Sequence, residues 1–109
     1  IFFAIFFKKK SKNIENFLIY LNKIENSADL TILIGEKKFW GQGLATEIWK
    51  EFIKILSKNK IRKITSGTSE NNLGMQRVLK KTMNLEYIIP KKIKFGNKFL
   101  DSYHYAYYP

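Results

Sequence analysis

The chain has 109 residues, 45% of them apolar, with no Cys, one His and a formal charge of +11 from 20 Lys+Arg against 9 Asp+Glu. That length suits one domain burying roughly 65% of its unfolded surface with no metal or disulfide staple, and the lack of cysteine excludes disulfides, thiolate zinc sites and a thiol nucleophile. His104 alone cannot build a multi-histidine centre and Asp29 and Asp101 are the only aspartates, so no metal is expected.

Residues 1–7, Ile-Phe-Phe-Ala-Ile-Phe-Phe, are too few for a membrane span, which needs about 20 apolar residues. No basic segment precedes them and no small-residue cleavage site follows, so a buried strand fits better than a signal peptide, and a cytoplasmic protein is expected. The start at Ile rather than Met suggests a fragment whose N-terminus lies upstream. The turn-like Lys8-Lys9-Lys10-Ser11-Lys12-Asn13 leads to a second apolar segment over 14–24, predicted as the other strand of a hairpin. Its spacing Ile14, Phe17, Leu18, Leu21 also suits a helix. After the turn Glu25-Asn26-Ser27, residues 29–34 alternate, with Leu30, Ile32 and Ile34 on one face of a strand that stops at Gly35.

From Leu44 the period changes to that of a helix. Leu44, Ile48, Phe52, Ile55 and Leu56 form one stripe over about four turns. Residues 61–67 read as a short strand, and Ser69-Glu70-Asn71-Asn72 supplies caps for a second helix marked by Leu73, Met75, Val78, Leu79 and Thr82. Two strands, 85–95 and 99–107, follow as a hairpin around Gly96-Asn97-Lys98, and Pro90 places the first at an edge or breaks it. The order predicts one α+β domain over 1–109, with a mixed, mainly antiparallel sheet and helices packed on it.

The positive charge invites a nucleic-acid reading. However, 18 Lys stand against only Arg62 and Arg77, amid 15 Ile and 9 Asn, which is a global bias rather than a patch. Arginine, the side chain that grips phosphate and guanine with two parallel bonds, is nearly missing, so nucleic acid is not the expected partner.

The informative stretch is the strand, glycine loop and helix start from Ile32 to Glu47. Unpaired N–H groups and the positive end of a helix dipole make an anion cradle there, and glycines let a diphosphate approach closely. A third glycine is missing, which excludes a dinucleotide fingerprint, and no Gly-Lys-Ser/Thr closes a P-loop. Two glycines also suit a plain turn that releases a helix. Trp40-Gly41-Gln42-Gly43-Leu44-Ala45-Thr46-Glu47 resembles the acetyl-CoA pyrophosphate loop, Gln/Arg-x-x-Gly-x-Gly/Ala, of the GNAT superfamily of acyl-CoA N-acyltransferases. It is most like the branch that acetylates the N-terminal amines of ribosomal proteins. Asn71 to Lys81 resembles that family's Asn-x-x-Ser helix, with Asn72 in place of the Asn that bonds the pantetheine arm.

The resemblance implies acetyl-CoA as acyl donor, held by Ile34, Trp40, Gly41, Gln42, Gly43, Leu44, Ala45, Thr46 and Asn72. It implies a pantetheine lying between two splayed strands, here 30–34 and 61–67, with Ile34 pairing to it. Asp29 stands where many members carry a Glu, and it is the candidate general base for direct acetyl transfer to a primary amine, of a protein N-terminus or a small molecule. A solvated carboxylate at a strand end is the plainer reading of Asp29. The helix positions that protonate the leaving thiolate in relatives are Met75 or Leu79 here, and neither can give a proton. No counterpart of the family's first strand and two helices precedes Ile1, so mainly the cofactor half is expected, with an open sheet edge suited to a homodimer. Tyr103 to Tyr108 reads as a strand with alternating faces, and His104 is an alternative acid or base. The other reading of the chain is a module without catalysis, which holds coenzyme A or, less in keeping with its arginine content, nucleic acid.

Overall fold

The computed structural model describes residues 2–7, 15–32 and 44–109. Alternation and turns produce a six-stranded sheet in the order β1-β2-β3-β4-β6-β5. The strands are β1 (Phe2–Phe7), β2 (Glu15–Asn22), β3 (Ser27–Ile32), β4 (Lys63–Ser69), β5 (Asn84–Phe95) and β6 (Lys98–Tyr107). The helices are α1 (Leu44–Lys58), between β3 and β4, and α2 (Leu73–Thr82), between β4 and β5. Segment 15–22 is therefore a strand, in register with β1 from Phe2↔Tyr20 to Phe7↔Glu15. β2 and β3 form the next hairpin, from Phe17↔Ile32 to Asn22↔Ser27. The β3–β4 contact is parallel, as a helical crossover demands, and the remaining ladders are antiparallel.

Both helices pack on one face of this sheet. The core joins Ile19, Ala28, Leu30, Ile64 and Tyr105 from the strands to Ile48, Trp49, Ile53, Leu56, Met75, Val78, Leu79 and Met83. Along β4 the burial alternates, with Ile64, Ser66 and Thr68 turned to the helices and Thr65 and Gly67 to the other side. The inward stripe of α1 is rotated from the expected one. Trp49 is fully buried and Ile53 replaces Ile55, which is 51% exposed. The row Trp49, Ile53, Leu56 keeps helical spacing and buries the largest side chain, while Phe52 is only partly covered.

Local chemistry ends the elements. α1 closes in a Schellman motif, with Ile61 N–H on Leu56 O at 3.2 Å and Lys60 N–H on Ser57 O at 3.1 Å. Lys60 takes the left-handed position, φ 62°, that usually falls to glycine. Immediately beyond it the chain is tied to the β2–β3 turn. Arg62 N–H donates to Asn26 O at 2.8 Å, Arg62 Nε to Glu25 O at 2.9 Å, and Asn26 Nδ2 to Lys60 O at 2.7 Å. These bonds set where β4 enters the sheet, two residues later than expected. Pro90 lies within β5, which is the edge strand, so its missing donor interrupts no second ladder. The β5–β6 register shifts between Ile89 and Ile93, where Lys91 has φ 50° and gives its N–H to Asp101 Oδ1 at 2.9 Å.

Candidate active site

β3 and β4 run side by side but pair over three positions only, Ser27↔Lys63, Ala28↔Ile64 and Asp29↔Thr65. Both strands continue, to Ile32 and Ser69, with no further pairing to each other among the described residues. The Ser66 hydroxyl donates to Leu30 O at 2.8 Å just past the last pair, satisfying a carbonyl that the ladder leaves behind. Above that bond, among the described residues, the two extended backbones part without ladder bonds to each other, which leaves an opening in the sheet's pairing. An extended ligand carrying amides can supply the missing partners there, as an added strand does.

Asp29 stands at the foot of this opening. Its carboxylate accepts a 2.6 Å hydrogen bond from Thr65 Oγ1, its neighbour across the last pair. Burial raises its pKa above the usual carboxylate value, and the Thr65 bond and the field of His104 oppose that rise. A carboxylate held this way is a stronger proton acceptor than one in water. Below Asp29, toward the β2–β3 turn, lies a cleft of about 460 Å³ lined by Tyr20, Leu21, Asn22, Ser27, Ala28, Asp29 and Thr65. Strand alternation puts Tyr20, Asn22, Ser27, Asp29 and Thr65 on the sheet face away from the helices. The carboxylate thus borders both the cleft and the opening.

His104 shares that face through β6, opposite Gly67 of β4 and Tyr87 of β5. Its ring stacks on Tyr87 at 4.6 Å between centroids, with the planes 7° apart, and Nε2 is 2.9 Å from Ser102 Oγ. The ring edge lies over Gly67, where an added Cβ would be 3.1 Å from Nδ1 and 3.2 Å from Cε1. A Cβ at this position would make the His104 ring shift by a few tenths of an ångström. Burial first and Lys92 second lower its pKa, against the pull of Asp29, so the imidazole is neutral at pH 7.

At the other rim, Asn72 is the N-cap of α2, and its Oδ1 accepts Met75 N–H at 3.1 Å. Gln76, buried beneath, accepts from Tyr105 OH at 2.6 Å and donates to Ser69 O at 3.3 Å, which locks the helix start to the ends of β4 and β6. Thr46 is half-buried in the first turn of α1, which also includes Leu44 and Ala45. Ile34, Trp40, Gly41, Gln42 and Gly43 lie outside the described residues. Among the described residues no three His, Cys, Asp or Glu side chains cluster as metal ligands, and no helix is long and apolar enough to cross a membrane. Thr65, Gly67, Ser102 and Tyr87 are site residues that the sequence did not single out. Their only sequence signal is an alternation opposite to the apolar residues of their own strands.

Residues 2–82 match the acetyltransferase (GNAT) domain. No curated protein matches the chain. In fold it is similar to the microcin C7 self-immunity acetyltransferase MccE in complex with acetyl-CoA and AMP, at TM-score 0.84 and 15% identity, over 99% of this chain and 61% of that one. A spermidine N-acetyltransferase from Vibrio cholerae gives TM-score 0.78 at 15% identity, over 98% of this chain and 64% of that one. A GNAT-family acetyltransferase from Bacillus anthracis gives 0.73 at 23% identity, over 86% and 57%. The chain thus spans 57%, 64% and 61% of the Bacillus, Vibrio and MccE chains.

Proposed function

The chain belongs to the GNAT acetyltransferase family, and from that premise we propose that it transfers an acetyl group from acetyl-CoA directly to a primary amine. The observation that carries this reading is the break in β3–β4 pairing immediately after Asp29 and Thr65. The pantetheine arm, which is extended and carries two amides, enters the opening and takes ladder bonds that β3 and β4 do not make with each other beyond Asp29 and Thr65. The diphosphate of coenzyme A falls to the loop Trp40 to Gly43 and the first turn of α1, and the amide nitrogen of Asn72, whose oxygen is committed to the cap, offers the pantetheine arm a hydrogen bond. The cleft below Asp29 takes the amine.

An alkyl amine with a pKa of about 10.4 must lose a proton before it attacks. Asp29, bordering the cleft and raised by burial, is the base that takes it, through a water molecule. The free amine attacks the thioester carbonyl, a backbone N–H near Ile34 steadies the oxyanion, and the carbon–sulfur bond breaks. No covalent intermediate on the protein is needed, in keeping with a chain that has no cysteine.

One observation favours a second reading, a module that holds coenzyme A without turnover. Met75 and Leu79, at the helix positions from which relatives protonate the thiolate, are buried and carry no acidic proton. The two readings separate in one pair of measurements. Acetyl-CoA at one hundred times Kd stabilises the fold by about 2.7 kcal/mol, and Gly43→Val, which crowds the phosphate loop, removes that thermal shift. Coenzyme A release is then followed with spermidine or a short peptide with a free N-terminus as acceptor. An unshifted melting temperature for the parent protein rejects both readings, and a shift without thiol release from any amine leaves the module.

A further inference from the structure

A thiolate leaving coenzyme A needs a proton, and the buried Met75 and Leu79 cannot give one. The opposite face of the sheet has a group that can. Resting on the acetyl-transfer reading above, we propose that His104 is the proton shuttle of the reaction, taking the proton from the nitrogen that has attacked and passing it to the departing sulfur.

The argument is positional. In the parallel register Gly67 stands level with Thr31, two residues beyond the last pair of β3 and β4, so whatever lies over Gly67 lies beside the opening. His104 is that group, with its Nδ1 and Cε1 edge over Gly67. His104 and Asp29 flank β4 from its two sides, about two strand spacings or 9.6 Å apart laterally and about 6.6 Å apart along the strands at Cα. The lean of the ring over Gly67 closes much of the lateral gap. A tetrahedral intermediate formed between them faces a carboxylate on the cleft side and an imidazole edge on the side of the opening.

The ring is also prepared for that work. Stacking on Tyr87 fixes its plane, and the Ser102 hydroxyl, itself buried, holds Nε2. With Nε2–H donated to Ser102 Oγ, Nδ1 presents a lone pair toward β4, and among the described residues it has no hydrogen-bond partner. The charged and titratable groups that face the ring are Asp29 from β3, and Lys92 and the Tyr87 phenol from β5. β4 offers Thr65 and Gly67 beneath it, with Lys63 further down the strand. Burial and Lys92 keep the imidazole neutral at pH 7, as a shuttle's resting state requires.

Charges balance through the cycle. Asp29 first frees the amine from its ammonium form, and that proton leaves to water. The amine nitrogen bonds to the carbonyl carbon, and the proton it then sheds goes to Nδ1. The carbon–sulfur bond breaks, the electron pair stays on sulfur, and the imidazolium returns its proton there. The products are an amide and a neutral thiol, and His104 ends as it began.

Because His104 is the only histidine in the chain, its imidazole NMR signals are unambiguous. They are titrated in the free protein, with coenzyme A, and with an analogue in which hydrogen replaces the thiol. We expect coenzyme A to displace the His104 titration midpoint, while the analogue binds and leaves it as in the free protein. His104→Gln is expected to retain the coenzyme A thermal shift and to lower turnover by about 10²- to 10⁴-fold. Equal titration curves with coenzyme A and the analogue overturn the shuttle, as does unchanged turnover in His104→Gln, and both leave acetyl transfer standing. A parent protein that binds no coenzyme A overturns acetyl transfer and the shuttle together.

Discussion

The two faces of β4 obey different rules. On one, Ile64 is fully buried and Ser66 and Thr68 nearly so, against Trp49, Leu79 and Tyr105 from the helices and β6. On the other, one residue away in sequence, Thr65 holds a carboxylate with a raised pKa and Gly67 makes room for an imidazole. Packing on the first face is apolar and dense; the Ser66 hydroxyl there is bonded to Leu30 O, while the buried Trp49 Nε1 has no hydrogen-bond partner among the described residues. The second face keeps two partly buried ionisable groups, Asp29 and His104, whose pKa values burial displaces. In the proposed function, stability and chemistry fall on different faces, and substitutions can test that division.

The largest expected effect falls on the chemical face. Asp29→Asn should lower turnover by about 10²- to 10⁴-fold while leaving the acetyl-CoA thermal shift intact, as read by thiol release and melting curves. Its effect on stability has the opposite sign. A carboxyl whose pKa is raised by folding favours the fold fully below about pH 3.8 and loses that contribution as pH rises through the folded value. Asn bears no charge, so the variant should melt at or above the parent at pH 7, with the difference shrinking in acid. A lower melting temperature at pH 7 would place Asp29 among the groups that hold the fold.

Leu79→Ala on the packed face should do the reverse. Leu79 is fully buried between α2 and the sheet, and its truncation should cost about 2–5 kcal/mol in denaturant melts. Activity per folded molecule should stay near that of the parent.

Asn72 lies between these extremes, because it serves the fold and, in the proposed function, the ligand. Asn72→Ala removes the cap on Met75 N–H and should cost about 1 kcal/mol. Asn72→Asp keeps an oxygen for that cap and removes the amide donor, so it should weaken coenzyme A binding at near-parent stability. Equal losses of affinity and stability in both variants would reduce Asn72 to a helix cap.

Much of the architecture was legible because it is written in local periodicity. Two-residue alternation marked the strands, the cap at Asn72 marked the start of α2, and Gly96-Asn97 marked the last hairpin, where Gly96 takes φ 62°. The inward stripe of α1 was misplaced because helical spacing alone does not distinguish Ile53 from Ile55, and the bulk of Trp49 decided it. Of the candidate site, Asp29 was singled out only through resemblance to a family pattern. Its partnership with Thr65 spans 36 residues and depends on a parallel register that no local signal encodes. His104 lies over a glycine of one neighbouring strand and stacks on a tyrosine of the other, and both contacts arise only because β6 lies between β4 and β5.

The knot of Asn26, Lys60 and Arg62 has a mechanical consequence. It clamps β3 and β4 together at the end where they pair and leaves their far ends free of each other, like the tines of a tuning fork. Cutting one bond at the handle, as Arg62→Ala cuts the 2.9 Å bond to Glu25 O, should let the tines sway. Hydrogen exchange would then quicken at Ser66 and Thr68 while the β5–β6 ladder kept its pace.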